Sequence, residues 1–236
     1  MEAAGYTTLT RQSGLMNELQ VLAHNIANAS TTGFRREGVV FSEFISASQG
    51  EESISMAHAN VRHVDLSQGA LTRTGGRYDL AIQGEGFFLV ATPDGERLTR
   101  AGAFFPSAEG ALVTAEGFAL LDNGAAPVPV PIGALDVSIS KDGTMTADGV
   151  PVAEIGLWQP DEPSDLRRQS GTLMIAENWS PVASGTILQG HLEESNVNTL
   201  GEIARMIEVQ RAYEMGQRFL ENEDQRQKSV LQTLGR

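Results

Sequence analysis

Apolar positions recur at helical spacing at both ends of the chain, and not in its middle. Leu9, Met16, Leu19, Ala23 and Ile26 step by three, four or seven residues, which places them on one helical stripe. Thr7, Gln12, Asn17, Glu18 and Gln20 fall mostly off it. The run Asn28-Ala-Ser-Thr-Thr-Gly33 ends this helix: its hydroxyls compete for backbone hydrogen bonds, and Gly33 admits a left-handed conformation. Near the other terminus Met206, Val209, Tyr213, Leu220, Val230 and Leu234 form a second stripe. Leu200, Ile203 and Ile207 widen it, while Gly216, Glu223 and Gln227 interrupt it. Its outer face sets Glu202 before Arg205, Glu208 before Arg211 and Glu214 before Arg218, the favourable order for helical ion pairs. About 36 helical residues extend roughly 54 Å, too far for a small β-domain to cover, so this helix is expected to seek another.

Between the helices, short apolar runs (Leu80–Ile82, Phe87–Ala91, Leu135–Ile139, Val152–Trp158) alternate with acid-glycine or amide-glycine pairs. Asp94-Gly95, Glu109-Gly110, Glu116-Gly117, Asn123-Gly124, Asp142-Gly143 and Asp148-Gly149 mark tight turns, because these residues tolerate positive φ. Many short strands with close turns predict antiparallel β-structure. Val128-Pro-Val-Pro131 reads as an edge or extended connector, since proline cannot donate to a ladder. The expected class is α+β: long N- and C-terminal helices pair as a coiled-coil domain and flank a central antiparallel all-β domain. The expected divisions are a helix over 1–33, an extended arm over 34–75, the β-domain over 76–190 and a second helix over 191–236.

Composition narrows the function. The 236 residues carry 30 acids against 17 bases, a net charge of −13, which speaks against a nucleic-acid partner. Without cysteine there is no disulfide, thiolate metal site or cysteine nucleophile. No apolar run is long enough to span a bilayer, so no membrane insertion is expected. The opening Met-Glu-Ala-Ala-Gly-Tyr-Thr lacks the basic and apolar segments of a cleaved signal. His24, His58, His63 and His191 are scattered, so no metal site is expected. Gly84-Glu85-Gly86 lacks the third glycine and following helix of a dinucleotide loop and reads as a turn into a strand. Glu193-Glu194 are adjacent and point apart, and no nucleophile, base and orienting group stand together. The expectation is a protein that is not an enzyme and has no cofactor and no small-molecule substrate.

The segment His24-Asn25-Ile26-Ala27-Asn28-Ala29-Ser30-Thr31-Thr32-Gly33-Phe34-Arg35 resembles the N-terminal signature of bacterial flagellar rod and hook axial proteins. That signature usually reads Asn-Asn-(Leu/Ile)-Ala-Asn-(Ala/Val)-(Asn/Ser)-Thr-x-Gly-(Phe/Tyr)-(Lys/Arg); His24 replaces its first Asn. Gln68–Thr74 through Asp79–Phe88, and Thr99–Phe104 with Gly110–Val113, resemble the family's central motifs. Gly190–Asn198, which contains Ser195, Asn196, Val197 and Asn198, resembles its C-terminal signature together with Gln210-Arg211-Ala212-Tyr213-Glu214. Within this family the opening residues and modest length favour the proximal over the distal rod type.

The resemblance implies an axial subunit of the basal-body rod, exported through the flagellar export apparatus without a cleaved signal and assembled in the periplasm. It implies partners that are copies of the chain and other flagellar rod subunits, in a hollow helical shaft that transmits motor torque. The helical stripes, including Ile203, Met206, Ile207, Val209, Tyr213 and Leu220, would then be assembly seams. Two rival readings are a secreted coiled-coil fibre with a β-head and a carbohydrate enzyme using acids among Asp79, Glu85, Asp94 and Glu96.

Overall fold

The computed structural model describes residues 2–46, 54–131, 133–134, 136–182 and 184–234. The chain divides into two compact units. One comprises Met1–Ala27, Glu37–His63 and Asn198–Arg236, and the other Asn28–Arg36 and Val64–Val197.

The first unit holds α1 (Glu2–Ala27) and α2 (Thr199–Leu234), with β1 (Glu37–Ser46) paired to β2 (Ile54–Val64). Asn198 precedes α2, and its Oδ1 accepts from Gly201 N at 3.2 Å, satisfying a donor that the first helical turn leaves open. The helices run antiparallel: Asn25 meets Glu202 at one end, and Gln12 meets Gly216 nearer the other. Leu15, Leu22 and Val209 are buried together, with Leu19, Met206, Ala212 and Tyr213 packed around them. The face that α1 turns to α2 therefore runs through Leu15, Glu18, Leu22 and Asn25. That face lies one residue N-terminal of the apolar stripe through Met16, Leu19, Ala23 and Ile26. The cause is polar: Glu18 and Asn25 face inward because α2 supplies their partners. Arg205 Nε donates to Glu18 Oε1 at 2.8 Å, and Asn25 Nδ2 donates to Glu202 Oε2 at 2.8 Å. The expected Glu202–Arg205 pair is displaced accordingly; Arg205 pairs with Glu18 and Glu208, and Glu202 is buried against Asn25.

The second unit is antiparallel β-structure. Its main sheet has seven strands in the order Arg167–Ser170, Leu173–Ile175, Gly95–Thr99, Phe88–Thr92, Ala119–Leu120, Leu112–Val113 and Phe105–Pro106. Val137–Ile139, Thr144–Ala147 and Val150–Glu154 form a three-stranded sheet. Leu80–Gln83 pairs with Thr186–Gln189, and Leu71–Arg73 with His191–Glu193. Leu80, Ile82, Phe88, Val90 and Met145 anchor the larger of two apolar clusters, where Phe88 and Phe104 meet edge to face at 5.4 Å.

Several turns follow from the glycine pairs. Asp148 and Gly149 both take positive φ (49° and 81°), as a two-residue hairpin between Thr144–Ala147 and Val150–Glu154 requires. At Asn123-Gly124 the positive φ instead falls on Ala125, because Asp122 Oδ1 accepts from Gly124 N and Ala126 N. Val128-Pro-Val-Pro131 is an extended connector, bridged through Pro127 to Leu121 and through Pro129 to Ala111. Val128 and Val130 are buried and donate to Leu120 O and Gly110 O, and the prolines occupy the alternate positions where no donor is needed. Gly86 leads directly into Phe88–Thr92. Leu135, at the start of an expected apolar run, and the side chain of Leu234 lie outside the described residues.

The two units are expected to respond separately to core truncation. Leu22→Ala should cost about 2–5 kcal/mol and Phe88→Ala about 3–5 kcal/mol. Hydrogen exchange reads where each loss falls. Leu22→Ala should expose amides of α1 and α2 while the strands at 80–99 keep their protection. Equal loss across both units would show that they are one cooperative body.

Candidate functional site

The motif residues assemble into two polar knots, one in each unit. In the helical unit the knot is Asn25, which is fully buried. Its Oδ1 accepts from Glu37 N at 3.0 Å and its Nδ2 donates to Glu37 O at 2.8 Å. One side-chain amide thus imitates a neighbouring strand and fixes the start of β1 against the end of α1. The same Nδ2 reaches Glu202 of α2. His24 Nδ1 lies 3.6 Å from the buried carboxylate of Glu37. Ala27 is exposed, as are Gln210, Arg211 and Glu214; Gln210 Nε2 donates to Glu214 Oε1 at 3.3 Å. Arg205, hydrogen-bonded to Glu18, has its pKa raised above the ordinary arginine value.

The second knot centres on Glu193, 1% exposed. Its carboxylate is held by three groups from distant parts of the chain. Arg35 Nη2 lies 2.9 Å from Oε1, Gly69 N donates to Oε1 at 2.9 Å, and Arg100 Nη1 donates to Oε2 at 3.0 Å. Arg35 and Arg100 are 1% and 4% exposed. Arg100 also donates to Gly84 O at 2.7 Å and lies over the Phe87 ring at 5.2 Å. Arg35 donates to Ser67 O. Burial pushes the Arg35 pKa down to about 10, aided by neighbouring Arg100 and opposed by Glu193. Arg100 is lowered by burial as well. Arg35 nevertheless stays cationic at neutral pH. Charging it in the fold carries a cost that is relieved only as pH rises through about 10 toward the ordinary arginine value.

The N-terminal motif is threaded onto this knot. Asn28 Oδ1 accepts from Thr31 Oγ1, and Thr31 N donates to Asn28 O, closing a turn after α1. Gly33 N donates to Glu193 O at 2.7 Å. Its φ is +70°, and a Cβ there would sit 2.2 Å from Ala101 N. The positive φ thus lies six residues beyond the helix end, so close backbone approach requires it, not a helix cap. Phe34 is fully buried beneath the Arg168 guanidinium, 4.1 Å from its ring centroid. Asn196 Oδ1 accepts from Arg36 N at 2.6 Å, and its Nδ2 donates to Asp65 O and Ser67 O. Ser195 Oγ accepts from Val197 N, and both residues are half-buried.

Leu19, Met206, Val209 and Tyr213 meet in the α1–α2 cluster, and Leu220 and Ile26 are half-buried. Leu9, Met16, Ala23, Ile203 and Ile207 are exposed. Glu193 is the central buried charge for which the sequence carries no local signal, because Arg35 and Arg100 lie far from it in the chain. Of the acids of the enzyme reading, Asp79 accepts from Thr74 Oγ1, Glu85 from Ser184 Oγ and Asp94 Oδ2 from Gln169 Nε2. Among the described residues no group of three or more His, Cys, Asp or Glu could hold a metal ion, and no helix is long and apolar enough to cross a membrane.

Glu193→Gln should leave two buried guanidinium groups without a counter-charge and cost about 3–5 kcal/mol in chemical denaturation. The neighbouring exposed Glu194→Gln is the control and should cost well under 1 kcal/mol. Equal effects would remove the knot from its central place.

Comparison with known proteins places the chain in a family. Residues 6–35 match the family described as flagella basal body rod protein. Residues 81–147 match the flagellar hook protein FlgE/F/G D1 domain, and residues 188–233 the C-terminal part of flagellar basal body rod FlgEFG proteins. The flagellar basal-body rod protein FlgF of Caulobacter vibrioides is 36% identical over 243 residues, covering 100% of this chain and 99% of its own. FlgF of Rhizobium meliloti is 33% identical with the same coverage. FlgG of Bacillus subtilis is 28% identical, covering 93% of this chain and 94% of its own. The chain belongs to the flagellar basal-body rod proteins of the FlgE/F/G family, and is a structural rod subunit, not an enzyme.

Proposed function

We propose that this chain is the proximal rod subunit of the FlgF type, with the FlgG-type distal rod protein as the second reading. The FlgF sequences align over the whole chain at 33–36% identity, whereas the FlgG sequences align at 28–32% over 88–93% of it. In this reading α1 and α2, shorter than the expected helices over 1–33 and 191–236 because Asn28–Gly33 and the strand His191–Glu193 belong to the β-unit, pair as a coiled-coil domain and nest with those of neighbouring copies and other rod subunits. The product is a hollow helical shaft that transmits motor torque. The β-unit forms an outer layer and the paired strands β1 and β2 an arm toward a neighbour; the rest of the expected 34–75 arm, including Phe34, Arg35 and Leu71–Arg73, is built into the β-unit. Export through the flagellar apparatus without a cleaved signal, and assembly in the periplasm, belong to the same reading.

The observation that carries it is the distribution of apolar side chains in the helical unit. Among the described residues Leu15, Leu22 and Val209 are buried in the interhelical cluster, with Leu19, Met206, Ala212 and Tyr213 packed against them. Leu9 and Met16 on α1 and Leu200, Ile203, Ile207, Met215, Phe219 and Val230 on α2 stay exposed. A helix pair that leaves so many large apolar side chains exposed along both helices is suited to being covered by other chains.

Met16 is 45% exposed and lies off the intrachain seam. Met16→Asp should therefore leave the stability of the isolated subunit within about 0.5 kcal/mol of the parent. In cells carrying it as the sole copy, the protein should be exported but absent from purified basal bodies, and swimming should be lost. Normal swimming would remove the exposed α1 face from assembly and overturn the nested-helix reading.

A further inference from the structure

Asn123-Gly124 is the one Asn-Gly pair in the sequence, and both residues are exposed in a turn of the β-unit. Such a pair can modify itself, because glycine brings no side chain to shield its own backbone nitrogen. That nitrogen, once it loses its proton, attacks the asparagine Cγ. The bond from Cγ to the side-chain nitrogen breaks, and ammonia leaves. Water then opens the five-membered imide on one side or the other, giving aspartate or isoaspartate. The net change is one water consumed and one ammonia released, with no oxidant or reductant.

Both reacting groups are engaged in the fold. Gly124 N donates to Asp122 Oδ1 at 2.8 Å, and the same oxygen accepts from Ala126 N at 2.9 Å. Asp122 N donates to Ala126 O at 2.8 Å and Ala125 N to Asp122 O at 3.0 Å, so the turn closes around Asp122. Asn123 is held from the other side. Its N donates to Glu154 O at 2.9 Å and its Nδ2 to Glu154 Oε1 at 3.2 Å. Its Oδ1 lies against Gly156, where a Cβ would come within 2.7 Å of it. The Asp122 carboxylate therefore holds the very proton that the nucleophile must lose, and its charge opposes a second anion beside it.

We propose that Asn123 is a deamidation site and that Asp122 keeps it closed in the folded β-unit. Opening of the turn frees Gly124 N and the Asn123 carboxamide together. The product does not restore the turn. A carboxylate at position 123 cannot donate to Glu154 and stands beside two acids, Asp122 and Glu154. Isoaspartate also inserts a methylene into the backbone between positions 123 and 124, within the span that Asp122 closes. The modification is thus a lasting chemical record that the β-unit has opened here.

The full-length chain is incubated at mildly alkaline pH, folded and in guanidinium chloride, and the peptide containing position 123 is followed by mass. Deamidation adds about 1 Da, and chromatography separates aspartate from isoaspartate. The Asp-Gly pairs at 94, 142 and 148 isomerise without a change of mass and stay out of the signal. The folded chain should deamidate at least about tenfold more slowly than the denatured one. Asp122→Ala should deamidate several-fold faster than the parent while the strands at 88–99 keep their protection from hydrogen exchange. Asp122→Asn keeps the Oδ1 acceptor without the charge and should fall between them. Equal rates in the folded and denatured parent would overturn the proposal. A rate equal to the parent's in either variant that keeps the strand protection would overturn it as well.

Discussion

The carboxylate of Glu193, buried between the guanidinium groups of Arg35 and Arg100, is the constraint on which the β-unit's chain path depends. Two buried cations around one anion are costly to desolvate, and burial lowers the pKa of both arginines accordingly. Part of that cost is offset by further contacts, although Arg35 Nε, Arg35 Nη2 and Arg100 Nε are buried without a hydrogen-bond partner among the described residues. Gly69 N supports the anion, Ser67 O and Gly84 O accept from the arginines, and the Phe87 ring covers Arg100. Such a knot contributes little net stability compared with an apolar core. Its effect is positional: three segments more than thirty residues apart in sequence can meet in only one way. The backbone on either side inherits that precision, through Gly33 N on Glu193 O and Glu194 N on Ala70 O.

The helical unit is organised by the opposite logic. Its seam contains Asn25, Glu18 and Glu202 beside Leu15, Leu22 and Val209. Each buried Leu or Val contributes roughly 1.5–3 kcal/mol. Three of them give modest support to helices of 26 and 36 residues. The β-unit, by contrast, buries clusters of fifteen and eight apolar residues. Polar groups in the helical seam fix register and direction, because a shift of one turn would strand Asn25 and Glu18 without Glu202 and Arg205. The pair is thereby specified without being strongly held, while its apolar residues remain outside.

Much of the fold was legible in the sequence. The two helices, the strands at Leu80–Gln83 and Phe88–Thr92 and the hairpin at Asp148-Gly149 follow from periodicity and turn chemistry. What resisted reading was polar burial. Glu18 and Asn25 fall outside a hydrophobic stripe by any counting of apolar residues, yet they define the inward face. Glu193 beside Glu194 resembles a solvated acid pair until Arg35 and Arg100 are brought to it from 158 and 93 residues away. Val128 and Val130 entered the core because alternate prolines need no donor, a compatibility that the rule against proline in strands obscures. For Glu18, Asn25 and Glu193 the deciding partner is distant in sequence, and local pattern carries no trace of it.

These two logics divide the work that an assembling subunit must do. A surface that is to join other chains cannot also be satisfied within its own chain, so apolar residues withheld from the seam cost the isolated helix pair stability. Asn25 and Glu18 limit that cost by fixing the pair with directional bonds that use little apolar surface. The β-unit can be stable on its own account because its core is closed and its irregular segments are locked by Glu193 and Asn196. Rigidity in the β-unit and incompleteness in the helices are therefore complementary. The first gives the subunit a fixed shape, and the second gives it a reason to associate.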